Sequence, residues 1–287
     1  MSDHHRFAAD WLSLREPADH AARSEALFTT LRRHLERRVI NRRALRIVDL
    51  GAGSGSNLRW LSPRLPQAQH WTLVDRDAAL LKRARAQGLQ PEHPRRIDLE
   101  TVEADLADST LPWIAEADLV TAAAFFDLVS EPWVKRLSSA CAQAGAATLF
   151  VLSVDGRWQL IDTDGGSIMN EDDFCVQRLF NQHQRRDKGL GAALGPDAAA
   201  VLAGSLAEHG LEVATQPSDW NLPAGQPLTL TLGRELISGW CRAALEQAPS
   251  AAKRIEDWHS ARQSGLAEGR IGLRVGHQDV LALPAMP

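Results

Sequence analysis

The sequence contains no tyrosine and only three cysteines, although nine of its 287 residues are tryptophan. The lack of tyrosine excludes any mechanism that needs a tyrosine base. Cys141, Cys175 and Cys241 are scattered, without a Cys-x-x-Cys pair or a histidine-rich spacing nearby. This pattern argues against a bound metal and against a disulfide framework, and it fits a reducing compartment.

Long apolar runs and an excess of positive charge are absent too. The longest apolar stretches are far too short to cross a bilayer, and the polar N-terminus lacks the apolar segment of a signal peptide. The formal net charge of −4 supplies no basic field for nucleic acid or a membrane surface. We therefore expect a cytoplasmic protein with neither of these partners. The sequence carries no indication of an oligomeric state.

A glycine-rich turn follows the first predicted strand. Residues 46–57 read RIVDLGAGSGSN, which predicts a short apolar strand, a tight turn and a helix. Such a turn brings backbone N–H groups close to a ligand. The glycines are Gly51, Gly53 and Gly55, and Ser56 stands where the dinucleotide fingerprint has its third glycine. No Gly-Lys-Ser/Thr follows, which excludes a P-loop.

Acidic residues end three of the predicted strands. Asp49 precedes the glycine turn, where a carboxylate suits an ammonium or hydroxyl group better than a pyrophosphate. Asp75 ends the next strand, at the distance where nucleotide-binding folds place a ribose-binding carboxylate. Capping of the next helix is the alternative role, but Asp77 fits it better. Asp105 follows the third strand in an Ala-Asp-Leu sequence, which also suits an ordinary acidic loop.

The sequence V-D-L-G-A-G-S-G at residues 48–55, with the segments 70–77, 97–108 and 117–129, resembles the motifs of class I S-adenosylmethionine-dependent methyltransferases. The resemblance implies S-adenosylmethionine as cofactor and in-line transfer of its sulfonium methyl group. The implied cofactor contacts are Asp49, Gly51, Ala52, Gly53, Gly55 and Asn57 near the turn, Asp75 and Arg76 at the ribose and adenine, Asp105 and Leu106 at the adenine, and Thr121 in the fourth strand.

The alternation of predicted strands and helices favours an α/β fold, a doubly wound, mostly parallel seven-stranded sheet with helices on both faces. The resemblance implies that the last strand is antiparallel and lies between the fifth and sixth. Residues 1–42 are expected to form an N-terminal helical lid, in which Arg23 is a candidate partner for the methionine carboxylate. Residues 43–287 are expected to form the cofactor-binding domain, with an acceptor-site insertion at 162–195 and a helical insertion at 228–268.

The acceptor site is expected within the 162–195 insertion, because fold alone explains this segment least. His183 and Asp187 are candidate bases, needed only if the acceptor loses a proton. The candidate acceptor-binding residues are Phe125, Phe126, Arg185, Arg186 and Lys188. These cations favour a small, anionic acceptor. The alternative interpretation of the segment is an exposed polar helix end before a glycine-rich turn.

Other functions remain open on the sequence. A cluster of arginines between residues 32 and 46 leaves room for RNA as the acceptor, although no aromatic residues interleave them. A protein acceptor is the further alternative within the same enzyme class. An oxidoreductase of the Rossmann type and a non-enzymatic scaffold are the rival classes, disfavoured by the missing third glycine and by the intact cofactor motifs.

Overall fold

A computed structural model describes residues 4–38, 44–65, 68–88, 97–107, 110–187 and 189–285. The lid boundary at 42/43 and the proposed acceptor contact Lys188 lie outside the described residues. The strands of the described chain are β1 (Leu45–Leu50), β2 (Gln69–Asp75), β3 (Ile97–Glu103), β4 (Leu119–Ala123), β5 (Ala147–Ile161), β6 (Glu212–Pro217), β7 (Trp220–Leu222) and β8 (Gly272–Leu283).

These strands form one mixed sheet in the order β3-β2-β1-β4-β5-β8-β6, with β7 paired to β8. Strands β1 to β5 pair in parallel, and β8 runs antiparallel to both β5 and β6. The predicted doubly wound fold is confirmed, including the antiparallel last strand between the fifth and sixth. The short strand β7 was not predicted, because three residues give too short a pattern.

Helices cover both faces of this sheet. They are α1 (His4–Ala22), α2 (Glu25–Arg38), α3 (Ser56–Leu61), α4 (Ala78–Gly88), α5 (Glu131–Ala144), α6 (Glu171–Gln184), α7 (Ala198–Glu208), α8 (Pro227–Gln247) and α9 (Ala252–Ala267). Leu27, Leu31 and Leu35 recur every fourth residue of α2 and are buried against one face. Helices α5 and α7 pack on the other face. Among the described residues, no helix has the length and apolar character needed to cross a bilayer.

Strand β5 extends over 15 residues because two irregularities let it bend and continue. The pairing of β5 with β8 shifts register after Phe150 and again after Val154. Leu152 adopts a φ of 60° at the first shift, and Gly156 a φ of 76° near the second. A Cβ at Gly156 would lie 2.8 Å from Pro196 Cβ, so glycine is required there. The extension brings Trp158 into an apolar cluster that it forms with side chains of α6, α8 and α9.

Asp279 on β8 fixes the first of these irregularities. Its Oδ1 accepts a hydrogen bond from Leu152 N at 2.8 Å, and its Oδ2 accepts one from Ser24 N at 2.9 Å, between α1 and α2. Burial raises the pKa of this carboxyl group, and its hydrogen bonds oppose that rise. One side chain therefore ties β8 to the bend of β5 and to the N-terminal helices.

We expect Asp279→Ala to lower the free energy of unfolding by about 3 kcal/mol, because two backbone N–H groups lose their acceptor. The measurement is the urea-induced unfolding of the full chain. Asp257→Ala on α9 is the control, since Asp257 forms an exposed pair with Lys253 and its loss is expected to cost less than about 1 kcal/mol. Equal effects of the two substitutions would contradict the role assigned to Asp279.

Candidate active site

The carboxyl ends of the parallel strands border a cavity of about 260 Å³, which we call the main cavity. This is the edge of a doubly wound sheet at which ligands bind. Ten of the sequence-predicted site residues line this cavity, namely Asp49, Gly51, Ala52, Gly53, Asn57, Asp75, Arg76, Asp105, Leu106 and Phe125. The N-terminal helix α1 closes part of it with Leu12, Arg15 and Asp19, which the sequence analysis did not select.

The glycine turn follows β1 and lies beside Phe125 at the wall of the main cavity. Gly51 and Gly53 have φ values of 63° and 52°, in the left-handed region that favours glycine. A Cβ at Gly51 would lie 2.8 Å from Cδ2 of Phe125. Gly55 does not line the cavity, and a Cβ there would lie 3.0 Å from Cβ of Ala84 on α4. At Gly51 and Gly53 the turn therefore presents backbone without a side chain to the cavity wall.

Asp75 is oriented by two backbone N–H groups. Its Oδ2 accepts a hydrogen bond from Gly53 N at 2.8 Å, and its Oδ1 accepts one from Asp77 N at 2.9 Å. Asp77 caps α4, because its Oδ1 accepts from Ala79 N and Leu80 N. Asp75 is therefore free of the helix-capping role and presents its carboxylate to the main cavity.

A buried polar network lies behind the glycine turn. Asn57 donates from Nδ2 to Asp49 Oδ1 at 2.9 Å and to Thr121 Oγ1 at 2.8 Å, and Arg23 Nη1 donates to Asn57 Oδ1. Thr121 in turn donates to the backbone oxygen of Leu149. Arg23 and Thr121 do not line the cavity, so they contact it only through Asn57. This network holds the amide of Asn57 in one orientation.

Two members of this network have polar atoms without a hydrogen-bond partner among the described residues. These atoms are Oδ2 of Asp49 and both Nε and Nη2 of Arg23. Burial raises the pKa of Asp49 to about 7, although the hydrogen bond from Asn57 and the charge of Arg23 act to lower it. Burial also lowers the pKa of Arg23 to about 10. A buried carboxylate with an unpaired oxygen is chemically suited to a cationic ligand group.

Asp105 and Leu106 form the far end of the main cavity. Asp105 Oδ1 accepts a hydrogen bond from Ala107 N at 2.9 Å, which closes a local turn. Trp133 Nε1 on α5 donates to the backbone oxygen of Leu106 at 2.7 Å and fixes the chain there. The loop is therefore positioned by a buried tryptophan of the neighbouring helix.

A second cavity of about 160 Å³ adjoins the main one and shares two lining residues with it, Arg15 and Ala124. Ala124 follows β4 and has a φ of 51°, a strained conformation for a residue with a Cβ. The further walls come from α1, β5, α6, β7, α8 and β8. This cavity was not predicted from the sequence. The one feature of the sequence that could have indicated it is the unusual content of nine tryptophans without tyrosine.

Arg15, which lines both cavities, belongs to a hydrogen-bonded unit. Arg15 donates from Nε and Nη2 to Asp19 at 2.9 and 3.1 Å, and Trp220 Nε1 donates to Asp19 Oδ1 at 3.1 Å. The guanidinium carbon of Arg15 lies 5.0 Å from the centre of the Trp220 ring. These contacts fix the side chain that both cavities share.

Of the residues predicted for the acceptor in the 162–195 segment, those that the structure describes, His183, Arg185, Arg186 and Asp187, line neither cavity. His183 Nε2 is 2.9 Å from Glu246 Oε2, and Arg186 pairs with the same carboxylate. Arg185 pairs with Asp197, and Asp187 accepts from Gly189 N. The end of α6 packs against α8, so His183 and Arg186 meet the acidic side chain of Glu246 at the surface. Their acceptor and base roles stay predictions without geometric support.

The two predicted phenylalanines occupy different places. Phe125 lines the main cavity beside Gly51. Phe126 is fully buried in the core, with its ring centre 4.6 Å from that of Phe150 and 6.2 Å from that of Trp133. Direct contact of Phe126 with an acceptor is therefore excluded by its packing. In the described part of the chain, no group of three or more His, Cys, Asp or Glu side chains is placed to hold a metal ion.

Residues 47–145, about a third of the chain, match the family model described as "Methyltransferase domain". A comparison with curated proteins gives no significant match. Similar solved structures include the cyclopropane synthase MmaA2 from Mycobacterium tuberculosis, with 13% identity, a TM-score of 0.49 and coverage of 97% of this chain and 95% of that one. The YcgJ protein from Bacillus subtilis has 13% identity, a TM-score of 0.46 and coverage of 90% and 100%.

A further similar structure is an S-adenosylmethionine-dependent methyltransferase from Geobacter sulfurreducens in complex with S-adenosyl-L-homocysteine, with 14% identity, a TM-score of 0.43 and coverage of 93% of each chain. Because their identities and TM-scores are this low, these structures do not indicate the acceptor of this chain. The segment that matches the family model contains the glycine turn, Asp75 and Asp105. Residues 47–145 of this chain are therefore similar to a methyltransferase domain.

Proposed function

We propose that this protein is an S-adenosylmethionine-dependent methyltransferase that acts on a small molecule. The cofactor binds in the main cavity, and the acceptor binds in the second cavity. The observation that carries the proposal is the junction of the two cavities at Arg15 and Ala124. Two ligands bound on either side of this junction would meet there. The second cavity, at about 160 Å³, is far too small for a folded RNA or protein segment.

The chemistry of the main cavity fits the parts of the cofactor. The unpaired oxygen of Asp49 suits the cofactor's ammonium group, and the carboxylate of Asp75 suits the ribose hydroxyls. Asp105 and the backbone of Leu106 suit the edge of the adenine. The bare backbone of the glycine turn permits close approach of the methionine end. Arg23 supports this site from behind through Asn57.

The bound cofactor supplies a methyl group made electrophilic by its positively charged sulfur. The task of the protein is to orient the two reactants and to exclude water, which contributes up to roughly 7–11 kcal/mol for well-positioned groups. Ala124 and the side chain of Arg15 define where the reactants face each other. A base is required only for an acceptor that must lose a proton.

Residues 1–42 act in this proposal as a lid, of which the structure describes residues 4–38. Leu12, Arg15 and Asp19 of α1 line the main cavity. Glu16 accepts hydrogen bonds from Arg59 on α3, with the Nε contact at 2.7 Å. The charge of Arg59 and its hydrogen bond keep the pKa of Glu16 below its usual value, although burial opposes them. This ion pair closes α1 over the glycine turn.

We expect Asp75→Ala to weaken the binding of S-adenosylhomocysteine at least about thirtyfold, because charge-assisted hydrogen bonds to the ribose are lost. Isothermal titration calorimetry measures the dissociation constant. Asp98→Ala on β3 is the matched control, since Asp98 is an exposed aspartate that faces His70 and not the cavity. Unchanged affinity in Asp75→Ala, or tighter binding of NAD than of S-adenosylhomocysteine by the native chain, would refute the proposal.

We expect the affinity for S-adenosylhomocysteine to fall about tenfold from pH 8 to pH 6. Burial raises the pKa of Asp49 to about 7 in the free protein, so this group is largely protonated at pH 6. A ligand ammonium group pairs with the ionised form only, and each pH unit below the pKa then reduces the apparent affinity about tenfold. Calorimetric titrations at pH 6, 7 and 8 measure the profile.

Asp49→Asn is the control for this pH dependence. The amide does not titrate, so we expect weaker binding and a flat profile over the same range. An equally steep profile in Asp49→Asn would assign the titration to another group.

A further inference from the structure

The second cavity is enclosed by an unusual number of aromatic side chains. Trp11, Trp158, Trp220 and Trp240, four of the nine tryptophans, line it together with Phe180. The rings of Trp158 and Trp240 are stacked, with centres 4.2 Å apart and planes inclined by 6°. Such walls contact a planar apolar ring with large area and little loss of side-chain entropy.

A guanidinium group already occupies one aromatic face of this cavity. Arg15 and Arg157 line it together with Asp127, and each arginine forms an ion pair, Arg15 with Asp19 and Arg157 with Asp155. The guanidinium group of Arg15 already lies over the Trp220 ring. An aromatic cage for an ammonium group requires open ring faces and no competing cation. The walls are therefore suited to a neutral or anionic ring.

His277 gives the cavity a hydrogen-bond acceptor of fixed orientation. Its Nδ1 lies 2.9 Å from the backbone oxygen of Val275, and a carbonyl oxygen only accepts, so Nδ1 carries the proton. Nε2 therefore has a lone pair, and among the described residues none hydrogen-bonds to it. Burial, as the main cause, lowers the pKa of His277 to about 4, and the ring is neutral at physiological pH.

Two more lining residues have polar atoms without a hydrogen-bond partner in the described chain. They are Nε1 of Trp158, a donor, and Oε1 of Gln184, an acceptor. Trp158 is only 2% exposed, and Gln184 is 9% exposed. Buried polar groups without partners are costly, so they are suited to a ligand with polar substituents on its ring.

The volume limits the size of this ligand. An apolar cavity of about 150 Å³ in another protein holds one benzene molecule. The second cavity, at about 160 Å³, therefore has room for one ring with small substituents.

We propose that the second cavity binds a single-ring aromatic acceptor, neutral or anionic, that donates an O–H or N–H hydrogen bond to Nε2 of His277. This inference rests on the proposed function, since it names the acceptor class of the same enzyme. His277 acts here as a positioning residue that turns the donor group of the ring toward one side of the cavity. The aromatic walls select the ring, and the guanidinium group of Arg15 occupies the face of Trp220 that a cationic ligand would need.

The test is a calorimetric comparison of four probes with the native chain saturated with S-adenosylhomocysteine. Phenol is the expected ligand. Fluorobenzene has the same shape without the O–H donor, cyclohexanol has the hydroxyl without the aromatic ring, and tetramethylammonium carries a positive charge. We expect phenol to bind at least fivefold tighter than each of the others. Equal or tighter binding of any of the three, or no binding of phenol, would overturn the inference.

A variant then tests the position of the hydrogen bond. We expect His277→Leu to weaken phenol binding at least fivefold and to change fluorobenzene binding less than twofold. A purely structural role of His277 would weaken both probes alike, and that result would refute the assigned contact. His259→Leu on α9 is the matched control, because His259 lies outside both cavities.

The binding of S-adenosylhomocysteine is measured in each variant as the check on folding. If S-adenosylhomocysteine does not bind to the native chain, the proposed function itself is refuted. If S-adenosylhomocysteine binds and phenol does not, the acceptor class alone is refuted. The comparison of probes on the native chain needs no variant, so a poorly folded His277→Leu does not prevent a decision.

Discussion

The buried network of Arg23, Asn57 and Asp49 is the constraint on which the arrangement of the site depends. It joins the end of α1 to α3 and β1, three elements that meet at the glycine turn. Burying an arginine and an aspartate is expensive, and their mutual charge and the shared amide only partly offset that cost. Asp49, whose Oδ2 has no hydrogen-bond partner among the described residues, supplies the main cavity with a buried acidic group.

The second cavity depends on a different constraint, the bending of β5. Without the register shifts near Leu152 and Gly156, β5 would not extend to Trp158 in its present direction. Asp279 satisfies the backbone at the first shift and ties it to the N-terminal helices. The sheet thus carries the glycine turn on its parallel half and the aromatic walls on the antiparallel extension. Both halves meet at Arg15 of α1.

Sequence reasoning succeeded where the signal is local. The apolar strand before Gly51 and the acid at the end of β2 lie within short segments whose spacing is set by one strand and one turn. Sequence reasoning did not find the partners of the cations at the end of α6. Arg186 and His183 meet Glu246, sixty or more residues away, and local sequence does not reveal a partner at that distance.

The sequence by itself determined the doubly wound sheet and the place of the glycine turn in it, because periodic burial and strand–turn–helix geometry are encoded over a few residues. Only the tertiary structure decided where the second cavity lies. Its walls come from Trp11, Trp158, Trp220 and Trp240, which belong to four elements spread over more than two hundred residues. No periodicity links such positions. They come together only because the bend of β5 and the pairing of β7 with β8 place them around α1.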